Sequence, residues 1–314
     1  MKNKSLCLLA ISLLLVACNN ANNVSKESKE EKHEHTFGDI YVIEEADWKT
    51  FIKGKDFDPT GLKVAHKCST CNAVEEVDYS LDNDTELELE QTSVTIKYGD
   101  KSIDYPIIVK EKYHLACVGD SLTAGHYWAN ESYPTMLSNL INSSYQIENC
   151  GVNGISITGY GGSWKDPSMK YIKQDVYQKS VDFAPDIFAI MLGTNDGTEW
   201  EKAEPTFEED YRELLDSYVE LFPNAKFIMM VSPPCISPNQ FDISNDNIKN
   251  YVNPIQRELA DDYGFEVLDL REEFEAEDDF ENRFLRPNDG VHFTKEAAEF
   301  VAERVWDIAK NLKL

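Results

Sequence analysis

The chain has 314 residues, with 57 acidic against 30 basic side chains and a formal net charge of −27. Such a charge argues against binding to nucleic acid, because phosphate binding relies on neutralisation by Lys and Arg. It also argues against a basic face that attaches to anionic lipid. The length allows one large domain or two ordinary ones.

Residues 1–17 have the pattern of a secretory leader. Two lysines precede an apolar run over residues 6–16, and a small residue precedes Cys18. This order is typical of a cleaved signal peptide, and the run is too short for a permanent membrane-spanning helix. The sequence LVAC at 15–18 resembles the bacterial lipobox, which implies cleavage before Cys18 and lipidation of its thiol. The alternative is a plain secreted protein with a chance cysteine at the junction.

Residues 18–37 are polar, charged and nearly free of apolar side chains. Such a stretch cannot bury enough surface to offset its ordering entropy, so we expect a flexible tether that follows the lipidated Cys18. His33 and His35 within it are expected to be solvated. The lipid on Cys18 would hold the protein at the cell membrane, outside the cytoplasm.

Residues 38–110 contain short alternating runs separated by Gly, Asp and Asn clusters. About five short strands in this length predict a small β-sandwich. The phrases FDPTGLKV, VDYSL and SVTIKYGDKSIDYPIIV resemble the bacterial immunoglobulin-like domains of surface proteins. The resemblance implies a spacer or adhesive module with no catalytic cluster.

The seven cysteines include one close pair, Cys68 and Cys71, with His66 nearby. A zinc site normally needs a second ligand pair, and none stands at a convincing spacing, so no metal site is predicted. A local disulfide is the favoured interpretation, and two free thiols are the alternative. Cys117 and Cys150 end apolar runs and are expected to be buried as small hydrophobic residues.

From residue 111 onward, apolar strands alternate with amphipathic helices. The strands are predicted at HLACV, YQIENC, DIFAIML, AKFIMMV and FEVLDL, and the helices near 132–142, 206–222, 245–263 and 295–312. Strands that are apolar on both faces indicate a parallel sheet covered by helices on both sides. We therefore expect an α/β domain over 111–314, a three-layer flavodoxin-like sandwich with a five-stranded parallel sheet. Functional groups of such sheets gather at the carboxyl ends of the strands.

Four polar blocks stand at or near those ends: GDS at 119–121, GVNG at 151–154, GTND at 193–196 and DGVH at 289–292. Each block alone is a weak signal, and Gly-Asp-Ser could simply cap a helix. Together they supply an acyl-transfer site. Ser121 needs a base to take its proton, His292 can serve, and Asp289 three residues earlier can orient the imidazole.

The oxyanion formed during acyl transfer needs fixed hydrogen-bond donors. The candidates are the backbone N–H groups of Ser121 and Gly154 and the side-chain amide of Asn195. Two neighbouring acids receive structural interpretations: Asp120 is expected to tighten the loop or cap the helix, and Asp196 to form hydrogen bonds within its own turn.

The phrases GDSLTAG, NCGVNG, LGTND and DGVH, in this order over 115–314, resemble the four blocks of the SGNH (GDSL) hydrolase superfamily. The resemblance implies Ser121 as nucleophile, His292 as general base and then acid, and Asp289 as its orienting partner. It implies Gly154 and Asn195 as oxyanion donors beside Ser121. This chemistry requires no metal and no organic cofactor.

Within that superfamily, NCGVNG with LGTND, the helix TFEEDYRELLDSYVELFP and the strand AKFIMMVSPP are most similar to sialate- and carbohydrate-O-acetylesterases. This implies a small acylated substrate, an O-acetyl ester on a sugar. Aromatic side chains in or beside the strand-end loops could stack on the sugar or could be packing residues: Tyr127, Trp128, Trp164 and Trp200.

Two alternatives to a carbohydrate esterase stay open. A lipase or lysophospholipase of the same superfamily would need a broad apolar rim, and the polar loops and acidic charge argue mildly against it. A non-catalytic, lipid-anchored surface binding protein would carry its function in the immunoglobulin-like domain and would have no use for Asn195 and His292. The oligomeric state is open, and a monomer is plausible.

Overall fold

The computed structural model describes residues 35–82, 86–141, 143–162 and 165–314. The predicted leader, the lipidated Cys18 and nearly all of the predicted tether lie outside the described residues, as does Trp164. In the described part of the chain, no helix combines the length and apolar character needed to cross a bilayer.

The N-terminal part is built from eight short strands: β1 (Phe37–Glu44), β2 (Thr50–Ile52), β3 (Lys63–Cys68), β4 (Val74–Glu76), β5 (Ser80–Leu81), β6 (Ser93–Tyr98), β7 (Lys101–Pro106) and β8 (Ile108–Lys110). They form two antiparallel sheets, β1-β3-β4 and β5-β6-β7, and a parallel pair, β2-β8. Alternation along β6 buries Val94 and Ile96 in a small core with Val64, Leu87 and Tyr105, as the period of two in a strand requires. The segment is therefore all-β, and its likeness to immunoglobulin-like domains stays a prediction.

The C-terminal part contains five further strands: β9 (Tyr113–Gly119), β10 (Tyr145–Gly151), β11 (Ile187–Met191), β12 (Lys226–Val231) and β13 (Glu266–Asp269). All neighbouring pairs are parallel, in the order β10-β9-β11-β12-β13. Every residue of β11 is buried, because a strand in the middle of a sheet that is covered on both faces meets no solvent. The predicted α/β architecture with a five-stranded parallel sheet is confirmed.

Among the described residues, ten α-helices accompany this sheet: α1 (Ser121–Ala124), α2 (Tyr133–Leu140), α3 (Asp175–Asp182), α4 (Trp200–Ala203), α5 (Phe207–Leu221), α6 (Asn245–Asn247), α7 (Asn253–Tyr263), α8 (Leu270–Glu275), α9 (Phe280–Phe284) and α10 (Lys295–Ala309). The helix predicted over 245–263 is interrupted by a π-helical segment, Ile248–Val252, between α6 and α7. Helix α5 buries Tyr211, Leu214, Leu215 and Tyr218, the one-sided spacing of an amphipathic helix.

The two parts are in contact. The side chain of Trp48 packs against both hydrophobic cores. The backbone N–H groups of Lys49 and Thr50 donate to the carbonyl oxygen of Leu314 over 2.8 Å and 3.0 Å. Lys110 forms an ion pair of 2.6 Å with Asp186. The C-terminus is therefore held against the all-β part.

Cys68 and Cys71 are separate thiols, so the favoured disulfide is wrong and the alternative of two thiols describes them. Each sulfur lies within hydrogen-bonding distance of a polar side chain. Cys68 is buried with its Sγ 3.1 Å from Thr70 Oγ1, whereas the exposed Cys71 places its Sγ 3.3 Å from His35 Nδ1.

Candidate active site

The loop between β9 and α1 places Ser121 at the carboxyl end of the sheet. Asp120 is the N-cap of α1, and its Oδ1 accepts the N–H of Leu122 over 2.9 Å. A Cβ on Gly119 would lie 2.0 Å from Thr123 Oγ1, so only glycine allows the helix to start this close to the strand. The capping role expected for Asp120 is confirmed.

Ser121, His292 and Asp289 form one line of hydrogen-bonded groups. His292 Nε2 lies 2.9 Å from Ser121 Oγ, and His292 Nδ1 lies 2.9 Å from Asp289 Oδ2. A carboxylate only accepts hydrogen bonds, so Nδ1 carries the proton and Nε2 presents its lone pair to the serine hydroxyl. All three side chains are buried, with at most 7% of each residue exposed.

The Asp289–His292 loop holds its own carboxylate in place. Oδ1 of Asp289 accepts the backbone N–H groups of His292 over 2.8 Å and Val291 over 3.0 Å. Burial favours the neutral acid, but the hydrogen bonds from the His292 ring and backbone outweigh it and lower the pKa of Asp289. Asp289 is therefore an anion at neutral pH, as a partner that orients a histidine must be.

The hydrogen-bond donors expected for an oxyanion line the same cavity as Ser121 and His292. Gly154 has a φ of +73°, a conformation that favours glycine. The Asn195 side-chain amide donates to the carbonyl of Ile155 over 2.8 Å, which fixes its orientation and leaves its second N–H for another acceptor. The structure therefore brings together the five residues of the predicted tetrad and triad.

The hydrogen bonds of Asp196 reach beyond its own turn, to which the sequence analysis had assigned them. Its Oδ2 accepts the N–H of Ile157 over 3.0 Å, and its Oδ1 accepts the N–H of Thr158 over 3.0 Å and the Thr158 hydroxyl over 2.8 Å. The carboxyl group therefore ties the loop after Gly154 to the end of β11. Burial raises the pKa of Asp196 to about 6, because the backbone and hydroxyl donors that favour the anion offset only part of that effect.

His126, which was not among the site residues predicted from the sequence, stacks its ring on that of His292. The two ring centroids are 4.1 Å apart and the planes differ by 6°. Phe241 meets both imidazoles with its ring nearly perpendicular, at 4.9 Å from His292 and 6.0 Å from His126. Burial and the neighbouring His292 lower the pKa of His126, so it faces His292 as a neutral ring.

No periodicity in the sequence indicates this stack. The one available signal is the position of His126 five residues after Ser121, where Gly125 and His126 both adopt positive φ, +84° and +47°, and turn the chain back at the end of α1. This turn directs the His126 side chain back toward the carboxyl end of the strand.

Three of the four aromatic candidates lie within the described residues, and they differ in exposure. Tyr127 is 82% exposed and Trp128 is 36% exposed. Arg286 covers one face of Trp128, with its guanidinium carbon 3.6 Å from the ring centroid. Trp200 is buried and stacks on Tyr251 at 5.4 Å, so the packing alternative describes it.

The cavity above Ser121 has a volume of about 250 Å³. Its lining combines polar and apolar side chains around the catalytic candidates: Ser121, His126, Asn153, Gly154, Gly162, Asn195, Gln240, Phe241, Asp242, Ile243 and His292. The cavity is therefore small, and its walls are both polar and apolar.

A parallel α/β sheet that carries a buried serine–histidine–aspartate line beside candidate oxyanion donors has the arrangement of an α/β serine hydrolase. Residues 117–300 match the model of the GDSL-like lipase/acylhydrolase family, and the chain belongs to this family.

Two comparisons place the chain among known proteins. It is 24% identical over 229 residues to an acetylxylan esterase from Xylanibacter ruminicola, a match that covers 65% of this chain and 44% of that protein. The chain therefore spans less than half the length of this relative. The structure of a lipase/acylhydrolase from Enterococcus faecalis has a TM-score of 0.50 at 20% identity, and the match covers 63% of this chain and 95% of that one. That likeness shows the shared fold.

Proposed function

We propose that the protein hydrolyses short acyl esters, chiefly O-acetyl esters on carbohydrate, through a Ser121–His292–Asp289 triad and an acyl-enzyme intermediate. One observation carries the proposal. His292 stands between a serine hydroxyl and an ionised carboxylate, 2.9 Å from each. This arrangement activates a hydroxyl that is otherwise a poor nucleophile.

In the acylation step, Ser121 Oγ attacks the ester carbonyl while its proton passes to His292 Nε2. Asp289 stabilises the resulting imidazolium through Nδ1–H. The oxyanion of the tetrahedral intermediate accepts the backbone N–H groups of Ser121 and Gly154 and the free N–H of the Asn195 amide. Collapse of the intermediate breaks the bond to the sugar oxygen, which leaves with the proton from His292.

In the deacylation step, His292 takes a proton from water, and the hydroxide equivalent attacks the acyl carbonyl. The second tetrahedral intermediate uses the same donors. Its collapse releases the carboxylic acid and returns the proton to Ser121 Oγ. Neither step needs a group from outside the chain apart from water.

The size and polarity of the cavity support a short acyl group on a polar alcohol. The cavity of about 250 Å³ is lined by Asn153, Gln240 and Asp242 as well as by apolar side chains. A long alkyl chain gains its affinity from apolar contact, which the polar lining limits. The name of the Xylanibacter relative, acetylxylan esterase, supports the same substrate class.

The proposal is tested with purified wild-type protein and Ser121→Ala on p-nitrophenyl acetate and p-nitrophenyl octanoate, followed by acetate release from acetylated xylan. We expect the wild type to prefer the acetyl ester and to release acetate from the polysaccharide, with no activity above background in the variant. Preference for octanoate would instead establish the lipase alternative. A wild type no faster than the variant would refute the enzyme.

We also propose that a lipid on Cys18 anchors the protein outside the cytoplasm and that the all-β part acts as an immunoglobulin-like spacer. The leader pattern of residues 1–17 and the lipobox-like LVAC support the anchor. Expression with labelled fatty acid tests it. Wild-type protein should carry label and sediment with membranes, and Cys18→Ser should do neither. Membrane association of Cys18→Ser at the wild-type level would contradict the anchor.

A further inference from the structure

The turn between β3 and β4 gathers two sulfurs and one imidazole at a single point. His35 Nδ1, Cys68 Sγ and Cys71 Sγ all lie within 4.8 Å of one another, and His35 Nδ1 is 3.3 Å from Cys71 Sγ. Tetrahedral zinc, with Zn–S near 2.3 Å and Zn–N near 2.0 Å, holds its sulfur and nitrogen ligands roughly 3.5 Å apart. The separation of the His35 and Cys71 ligand atoms already fits such a site.

Backbone pairing, independent of any ligand, brings His35 to this turn. Phe37 at the start of β1 is paired with Cys68 at the end of β3. The N–H and hydroxyl of Ser69 both donate to the carbonyl of Thr36, over 2.9 Å and 3.0 Å. The residue that precedes Thr36 is therefore held beside the Cys68–Cys71 turn by the register of the sheet.

Backbone hydrogen bonds within the turn bring the two sulfur atoms close together. The N–H of Asn72 donates to the carbonyl of Cys68 over 3.0 Å, and the N–H of Cys68 donates to the carbonyl of Ala73 over 2.8 Å. Asn72 has a φ of +61°, which reverses the chain immediately after Cys71. These backbone hydrogen bonds do not depend on a cation, so the turn positions both thiols in the metal-free protein.

We propose that His35, Cys68 and Cys71 form a binding site for one thiophilic divalent cation of the zinc type, which joins the entry of β1 to the β3–β4 turn. Two thiolates with one imidazole select borderline-soft metals over calcium or magnesium. Zinc was not predicted from the sequence because no second ligand pair stands at a convincing spacing from Cys68 and Cys71. The third ligand instead comes from 36 residues before Cys71, and water completes the coordination.

His66, the histidine nearest to the pair in sequence, takes no part in this site. Its ring stacks on Phe37 with centroids 3.8 Å apart, and its Nε2 lies 3.6 Å from a carboxylate oxygen of Glu75. Glu75 is exposed on β4, the strand that follows the turn.

The test uses the full chain, reduced with a phosphine, stripped of metal and titrated with Co²⁺ and then Zn²⁺. We expect thiolate-to-cobalt charge-transfer absorption in the near ultraviolet, saturation at one cobalt per chain, and loss of the band when zinc displaces cobalt. Zinc should also raise the melting temperature of the wild type, since a ligand that binds only the folded state stabilises it.

Cys71→Ser and His35→Ala remove one ligand each at exposed positions and are expected to fold. Each should weaken zinc binding by at least about 100-fold, because loss of an outer partner alone costs about 10–100-fold. Lys67→Ala, an exposed change on β3 that leaves all three ligands in place, should bind as the wild type does. Unchanged binding in Cys71→Ser and His35→Ala, or no charge-transfer band in the reduced wild type, would overturn the proposal.

Ser121→Ala separates this proposal from that of the esterase. The variant should bind zinc with wild-type affinity while it hydrolyses no ester, and the metal-free wild type should hydrolyse p-nitrophenyl acetate at the rate of the zinc-loaded protein. A loss of zinc affinity in Ser121→Ala would place the cation at the serine and would contradict the site at the β3–β4 turn.

Discussion

Asp120 and Asp196 are completely buried carboxyl groups beneath the site, and we expect the same change to asparagine to act oppositely at the two. Asp120 uses Oδ1 to accept the N–H of Leu122, whereas its Oδ2 has no partner among the described residues. Both oxygens of Asp196 accept hydrogen bonds from the Ile157–Thr158 segment. At position 120 the amide oxygen of asparagine can still accept the N–H of Leu122, so no hydrogen bond is lost. At position 196 the amide NH₂ group replaces one of the two accepting oxygens and faces groups that themselves donate.

The effect at Asp120 can be calculated from its pKa. Burial, with Asp196 nearby as a further cause, raises the pKa of Asp120 from 3.8 to about 7. A folded pKa above the unfolded one adds stability that is complete below the unfolded pKa and is lost as the pH rises through the folded pKa. Between pH 5.5 and pH 8.5 the calculated loss of unfolding free energy is about 2 kcal/mol.

Asp120→Asn resembles the neutral acid at every pH, so it should remove this loss. Relative to the wild type, the variant should gain about 2 kcal/mol of unfolding free energy between pH 5.5 and pH 8.5. Asp196→Asn should instead be less stable than the wild type by roughly 2–4 kcal/mol, because buried donors lose their acceptor. The difference between variant and wild type cancels the titrating groups that do not interact with Asp120 and leaves Asp120 with its neighbour Asp196.

The assay is urea unfolding followed by circular dichroism at pH 5.5, 7 and 8.5 for the wild type and both variants. Ester hydrolysis at one fixed pH shows whether each folded variant retains an assembled site. If Asp120→Asn and the wild type change in parallel across this pH range, the buried acid does not titrate as argued. An Asp196→Asn protein as stable as the wild type would contradict the role assigned to its three hydrogen bonds.

Changes at three further positions probe the site through kcat on p-nitrophenyl acetate. Asp289→Asn should lower kcat by about 10⁴-fold with little change in KM, because an amide favours the wrong tautomer of His292; a loss below tenfold would contradict its role. Gly162→Ala would place a Cβ 2.8 Å from Asn195 Oδ1, at a residue with a φ of +66°. We expect this contact to displace the Asn195 amide and to lower kcat by about 100-fold. Unchanged kcat would refute the close approach of residue 162 to Asn195. His126→Phe keeps a ring stacked on His292 and should retain kcat within about threefold. His126→Ala removes the ring and should lower kcat roughly tenfold and shift the pH–rate profile. Equal rates and profiles in the two variants would exclude positioning of His292 by the stacked ring.

The sheet and the meeting of the four polar blocks could be predicted because their causes are local and periodic. A strand such as Ile187–Met191 is apolar on both faces, which only a covered parallel sheet accommodates. Once the strands are parallel, their carboxyl ends meet at one edge, and residues far apart in the sequence become neighbours. Ser121 and His292, 171 residues apart, are an example.

The features that were missed depend on contacts that no local pattern encodes. The Asp196 carboxylate accepts hydrogen bonds from Thr158 because the loop after Gly154 folds over the end of β11. Trp200 is buried because Tyr251 covers its ring. His35 reaches Cys71 through the register of β1 on β3. Each of these contacts forms only after distant segments have packed.

The central claim is that Ser121 is the nucleophile activated by His292. Its most direct test is covalent capture: the full chain is treated with a serine-reactive phosphonate ester and the labelled peptide is identified by mass spectrometry. The account predicts one label per chain, on Ser121, with labelling strongly slowed in His292→Ala and absent in Ser121→Ala. A label on another residue, or wild-type rates of labelling in His292→Ala, would contradict it.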